Sequence, residues 1–328
     1  MTPQLAVQLM PPEIQNKLFP MSLRPQAHDI ITFWLFNTVL KSNLHYKKNP
    51  WKDTTISGFV TLKGEKMSKS KGNIIRPQTI IEQYGADAIR YWASSSKLGE
   101  DLDYQEKDVL TGLKFITKIY NATKFVFSSI NYQKKMPILI ETDRLFLSQL
   151  NNLIESAAKA FDKYNYSKAK FDTDNFFWKT FADNYLEIVK NRFYNGNEKE
   201  KASAHYTLYH SLLTILKQMA PITPFITEEI YHDKFKIHEK DKSIHISNWP
   251  KPIKLKENKT DQEVWDKLLD IVYKVRQEKS NAKKAMNSSI RLTIDSKDNA
   301  LLSPVLSDLK AVTNSQEIKT GSFAVEFL

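Results

Sequence analysis

Lys66-Met67-Ser68-Lys69-Ser70-Lys71-Gly72-Asn73 puts three lysines within six residues, adds two hydroxyls, and ends in a Gly-Asn pair that frees the backbone. Such a loop is able to close over a polyphosphate. Lysine suits that task as a mobile point charge, because nucleotidyl transfer is helped chiefly by cations placed where negative charge develops. On composition alone the same string also reads as a solvated connector.

Working outward, Thr55 to Leu62 (TISGFVTL) reads as a short buried strand that leads into the loop. Upstream of it, Asp29 can cap a helix that is apolar nearly all round from Ile30 to Leu40, the pattern of a buried helix. Residues 1–75 therefore look like the end of an α/β domain. Downstream, Pro77 stands at a helix start and Gly85 breaks the pattern, giving short helices at Gln78–Tyr84 and Ala86–Ser94 within region 76–105.

Helical stripes fill region 106–245: Val109, Leu113, Ile116, Tyr120 and Phe127, then Leu150, Leu153, Ala157 and Phe161, then Leu208, Leu212, Ile215 and Met219. They predict a bundle of four or five helices. Pro221 ends one helix there, and Thr223 with Pro224 caps and starts the next. In region 246–328, Thr260-Asp261-Gln262-Glu263 reads as a capping box before an amphipathic helix through Val264, Leu268, Ile271 and Val275. Alternation at Ile290, Leu292 and Ile294, and again at Phe323, Val325 and Phe327, predicts strands of a small α/β module.

Composition narrows the function. The 328 residues include no cysteine, which removes disulfides, thiolate nucleophiles and zinc fingers, and the seven histidines form no metal-ligand spacing. No apolar run spans a bilayer and Met1-Thr2-Pro3-Gln4-Leu5 lacks a secretory start, so a cytoplasmic protein with no membrane partner is expected. A net charge of +11 makes a polyanion, nucleic acid foremost, a natural partner, although a surplus of lysine over arginine also fits an ordinary solvated surface. Neither G-x-G-x-x-G nor a P-loop occurs.

The KMSKS string followed by Lys71-Gly72-Asn73 resembles the signature loop of class I aminoacyl-tRNA synthetases, which binds ATP during adenylate formation. The resemblance assigns ATP contact to Lys66, Met67, Ser68, Lys69 and Ser70, with Lys66 and Lys69 catalytic and Lys69 the main cation on the pyrophosphate. Leu23-Arg24-Pro25-Gln26-Ala27-His28-Asp29-Ile30-Ile31 resembles the segment lining the adenylate pocket. His28 and Asp29 are thereby candidate pocket residues, though read from the residues alone they serve equally as a core histidine and a helix cap.

Residues Pro77 to Trp92 resemble the family's stem-contact segment, and Phe176 to Arg192 and Ala220 to Tyr231 its anticodon-binding bundle. The likeness runs in order over about residues 2–290. Within the family, Arg24 to Ile31 with Trp34, and Ile56 to Val60, look most like valyl enzymes of archaeal type; isoleucyl and leucyl relatives differ at His28-Asp29.

The resemblance implies a mainly α protein: a C-terminal remnant of a Rossmann-like catalytic domain, a stem-contact segment, a helical anticodon-binding bundle and a small α/β module. It also implies valine and ATP with Mg2+ as counter-ion, no protein-bound metal, and tRNA-Val as partner, with Lys190, Arg192, Lys274, Arg276 and Lys279 as candidate RNA contacts. On spacing alone the basic helix around Lys274 and Lys279 is an ordinary solvated face.

The family's His-x-Gly-His signature and the valyl editing domain are missing from this sequence. The chain is therefore expected to be a C-terminal portion, whether a truncated piece, a gene fragment or one half of a split enzyme with a companion chain. It is expected to be inactive alone. A standalone tRNA-binding module with a relic loop is the alternative.

Overall fold

The computed structural model describes residues 7–132 and 135–328; the N-terminal pentapeptide read above for a leader lies outside them. The chain is mostly helical. It divides into two compact units, Met1–Lys114 with Ala160–Lys168, and Phe115–Lys159 with Ala169–Leu328. No helix among the described residues is long and apolar enough to cross a membrane.

In the first unit, α1 (Pro12–Leu18) precedes β1 (Met21–Ala27), and α2 (Phe36–Tyr46) carries the chain to β2 (Trp51–Ser57). The two strands run parallel, with Met21 opposite Trp51 and Ala27 opposite Ser57. A parallel pair joined through a helix is a βαβ crossover, so both carboxyl ends open on the same edge. A second small sheet has β3 (Val60–Leu62) at its centre, flanked by β4 (Glu65–Lys66) and β5 (Leu102–Asp103). Helices α3 (Pro77–Tyr84) and α4 (Ala86–Ala93) follow, broken at Gly85 with φ +84°, where an L side chain would be strained.

Two expectations fail here. The stretch Thr55–Leu62 is not one buried strand but parts of β2 and β3, in different sheets. Gly58 is the reason: a Cβ there would collide with the Glu100 carbonyl, and the neighbouring Phe59 N–H donates to the Asp101 carboxylate at 2.7 Å. Nor is the helix after Asp29 buried. It forms as a tight turn at His28–Ile30, a widened turn at Ile31–Leu35 and then α2, with Phe33 76% and Phe36 60% exposed. A two-stranded sheet covers only one side of an all-apolar rod, the side where Trp34 stacks on Trp51 at 5.6 Å.

The second unit takes the larger parts of α5 (Glu106–Phe127), of α6 (Glu141–Asp162) and of a rod from α7 (Tyr166–Asn175) through a widened stretch at Phe176–Tyr185 into α8 (Leu186–Asn195), then α9 (Glu198–Met219) and α10 (Pro224–Ile230). The stripes on α6 and α9 are buried as expected, with Leu150, Ala157, Leu208, Leu212, Ile215 and Met219 all fully inside. On α5 the register is corrected: Phe115, Ile119 and Val126 face inward while Leu113 and Tyr120 are exposed at 36% and 38%. Apolar residues lie on both sides of that helix, so periodicity alone did not choose between them.

Side-chain capping at Thr223 and Thr260 is also absent. Thr260 has near-helical backbone angles (φ −93°, ψ 0°), and it is the Asp261 carboxylate that accepts the Asn258 N–H, at 2.9 Å. A capping box does form at Asn197 with Glu200, ahead of α9.

The chain ends in α11 (Asp261–Asn281), β6 (Ile290–Ile294), α12 (Ser296–Leu301), α13 (Leu306–Thr313), β7 (Ser315–Thr320) and β8 (Ala324–Phe327). Strand β6 lies between parallel β7 and antiparallel β8. Arg144 joins α6 to α11, its guanidinium gripping Glu141 and both Asp261 oxygens at 2.5–2.6 Å. That pairing holds the Asp261 carboxyl below its usual range.

Burial, with a smaller push from Lys217, lowers His210 on α9 to a pKa of about 4. Its Nε2 is buried without a hydrogen-bond partner. Unfolding restores the ordinary value near 6.5, so the unfolded chain binds the proton first. Stability present above pH 6.5 should be lost as pH falls toward 4, by at most about 3 kcal/mol. Denaturant midpoints measured across that window test this, and His210→Phe should flatten the slope; an unchanged slope would remove His210 from the account.

Candidate active-site loop and nucleic-acid surface

The carboxyl ends of β1 and β2 deliver His28-Asp29 and Gly58-Phe59 to one edge, the place where parallel sheets bind ligands. Neither side chain takes the structural role open to it in the sequence. His28 is exposed rather than in the core, its Nδ1 3.3 Å from the Ser57 carbonyl oxygen and its ring 4.3 Å from that of Phe59. Asp29 caps no helix; its carboxylate accepts from Lys66 Nζ at 3.4 Å, while the same ammonium sits 3.6 Å from the Phe59 ring centre. An exposed pair of this kind is worth little, so Lys66 is able to exchange its carboxylate for a phosphate. Phe59, which holds both His28 and Lys66, escaped the sequence reading; an aromatic just after a strand-breaking glycine was the available signal.

The loop keeps its shape through uncharged groups. Asn73 closes it, accepting the Ser68 N–H at 2.8 Å and donating to the Lys66 carbonyl at 3.3 Å. The hydroxyls of Ser68 and Ser70 meet at 2.9 Å, and Gly72 turns the chain at φ +67°. Met67 faces an apolar cavity of about 200 Å³ shared with Ile80, Trp92 and Tyr104. Lys71 pairs with Glu65 at 3.1 Å. The Lys69 side chain is exposed at the tip, with no ion pair or hydrogen bond among the described residues, while its carbonyl accepts the Gly72 N–H at 3.3 Å.

Cations, hydroxyls and a free tip amine suit a polyphosphate. No group of three or more His, Asp or Glu that could hold a metal ion occurs among the described residues.

The candidate RNA contacts divide in two. Arg192 is only 4% exposed, and its guanidinium is consumed by Asp143 at 2.6 and 2.9 Å and Asp308 at 2.7 Å. Burial opposes its charge, but these carboxylates more than offset that and hold it above its ordinary value. Lys279, 1% exposed, donates to the carbonyls of Met286, Ser288 and Thr313 at 2.8–2.9 Å. Both were read as RNA contacts; with each nitrogen of the Arg192 guanidinium and all three protons of Lys279 engaged inside the fold, neither is presented to a phosphate.

Lys190 and Lys274 do reach the surface, paired with Glu187 at 2.6 Å and Asp270 at 2.9 Å. Arg276 is half-buried and donates to Asn184 at 2.9 Å.

Comparison with known proteins bears on both regions. Residues 5–105 match the family model described as tRNA synthetases class I (I, L, M and V), and residues 143–294 match the anticodon-binding domain of tRNA ligase. A valine–tRNA ligase of Rickettsia felis is 40% identical over 94% of this chain and 37% of its own length. That of Picrophilus torridus is 37% identical over 93% of this chain and 39% of its own.

Among solved structures, the Agrobacterium radiobacter LeuRS of a ternary complex with tRNA and LeuAMS aligns with TM-score 0.57 at 15% identity, over 97% of this chain and 39% of that one, a likeness of fold. The chain spans about two-fifths of the length of the curated relatives it matches. With both family models matched in order, and such identity along nearly all of its length, the chain belongs to the class I tRNA synthetases.

Proposed function

We propose that this chain is the C-terminal portion of a valine–tRNA ligase, supplying the loop that closes on ATP and the surface that docks tRNA-Val. The observation that carries the first half is the loop itself: a frame held by Asn73, with Lys69 left unpaired at its tip. In this reading residues 1–75 complete a Rossmann-like catalytic domain, 76–105 contact the tRNA stem, 106–245 form the anticodon-binding bundle and 246–328 add a basic helix and α/β module. ATP brings Mg2+ as its own counter-ion. Lys66 and Lys69 meet the phosphates, Ser68 and Ser70 offer hydroxyl donors, and His28 and Asp29 line the adjoining edge. Lys190, Lys274 and Arg276 remain the candidates that face RNA.

Valine-dependent pyrophosphate exchange tests the reading. The chain alone should give none, because the two phosphate-binding histidines of the family signature are not in its sequence. Adding a companion polypeptide that carries the His-x-Gly-His half should restore exchange with valine but not with isoleucine or leucine. Exchange by this chain alone, or none after mixing a properly folded pair, overturns it; the latter favours a standalone tRNA-binding module.

A further inference from the structure

Behind the loop, within the first unit, lies the apolar cavity that Met67 faces. Val60 of β3, Ile80 of α3, Ile89 and Trp92 of α4, and Tyr104 beyond β5 line the rest of it, and the wall is almost wholly apolar. Trp92 is the side chain that departs from this. It is 7% exposed and meets the Tyr104 ring edge-on at 5.4 Å, yet its indole N–H is buried with no hydrogen-bond partner among the described residues. A buried donor left unused is a cost that a bound acceptor removes.

Size and chemistry select the occupant. At about 200 Å³ the cavity exceeds the roughly 150 Å³ that takes up a benzene ring, and it falls short of the roughly 300 Å³ at which pockets for drug-sized molecules begin. One ring fits. Water suits the place poorly, because a buried water needs about three polar partners and so apolar a wall does not supply them.

The position of the cavity ties it to the loop. Asn73 clamps the backbone on both sides of Met67, at the Ser68 N–H and the Lys66 carbonyl, so whatever holds the Met67 side chain holds the residues that flank it. The thioether is flexible and polarisable, able to shift beside a ring without losing its contacts. Val60, 44% exposed, stands where the cavity meets solvent and gives a small molecule its way in.

We infer that this cavity binds a single-ring apolar molecule carrying one hydrogen-bond acceptor, which takes the Trp92 indole N–H and, packed against Met67, restrains the loop from Lys66 to Asn73. The inference stands whichever amino acid the enzyme activates, and the chain alone suffices to test it.

Acetophenone is the probe, with ethylbenzene as its match without an acceptor. In nitrogen-labelled chain, the indole N–H resonance of Trp92, assigned by its loss in Trp92→Phe, should move downfield and saturate with acetophenone. Ethylbenzene, followed at the Met67 methyl, should bind about threefold to tenfold more weakly. With acetophenone at about ten times its dissociation constant, the Ser68, Lys71 and Gly72 amides that close the loop should exchange about tenfold more slowly. Val60→Phe and Ile89→Phe each fill the cavity, and either variant, once shown to be folded, should lose both effects.

No saturable shift at Trp92, or a shift that survives a filling variant, overturns the site; the two probes on the parent chain decide the matter even where neither variant folds. Equal affinity for the two probes removes the indole N–H from the binding and overturns the class of ligand. Saturation at Trp92 with loop exchange unchanged overturns the restraint.

Discussion

Replacing Arg192 by alanine should destabilise the second unit by about 3–5 kcal/mol, because it leaves buried carboxylates without their counter-charge. Asp143 and Asp308 are essentially inside the fold. Asp143 would still accept from the Tyr185 hydroxyl at 2.7 Å and from Ser203. Asp308 would be in a worse position: burial already raises its carboxyl, and Arg192 is the charge that opposes the rise. Arg192→Lys should recover only part of the loss, since one ammonium cannot serve both carboxylates with the geometry of a fork.

Denaturant unfolding of the chain measures this, read as a shift in midpoint at constant slope. A loss below about 1 kcal/mol would mean the network is far weaker than its geometry implies. Wherever the variant remains folded, its tRNA affinity should match the parent, in contrast to a residue that touches phosphate.

Lys69→Ala, in the enzyme reconstituted with its missing half, should lower kcat for adenylate formation by about 100-fold to 1000-fold, the range found when one preorganised donor to developing charge is removed. Valine binding should change little, since the amine acts where pyrophosphate takes on negative charge rather than on the amino acid. The structure sharpens this expectation. The frame of the loop is made by Asn73, the serine hydroxyls and Gly72, none of which needs the Lys69 side chain. Alanine therefore removes a charge without removing a shape. Equal losses in kcat and in valine affinity would show instead that Lys69 holds the loop together.

The loop was legible in the sequence because its chemistry is local: lysines, hydroxyls and a Gly-Asn turn within eight residues need no distant partner to be recognised. The stripes of α6 and α9 were legible for another reason: both helices are buried nearly all round, so apolar residues recurring at helical spacing lie inside whichever face they mark. Arg192 and Lys279 were misread because nothing near them in the chain distinguishes a buried cation from a surface one. The partners of Arg192 lie 49 and 116 residues away, and one carbonyl held by Lys279 lies 34 residues on. The register of α5 failed differently, since Leu113 and Tyr120 are as apolar as the residues that face inward. Gly58 could have been read: a glycine inside a strand pattern marks a close backbone approach, and here it marks the change of sheet.

Lys279 has a practical consequence as a chemical reporter. Its amine is enclosed and each of its three protons is engaged, so in the native chain a water-borne acylating reagent should find it last among the lysines. Acylation there requires α11 to part from the carbonyls of Met286, Ser288 and Thr313 that hold the amine. The labelling rate of this one side chain thus serves as a clock for the opening of the C-terminal module, readable by mass spectrometry without any engineered probe.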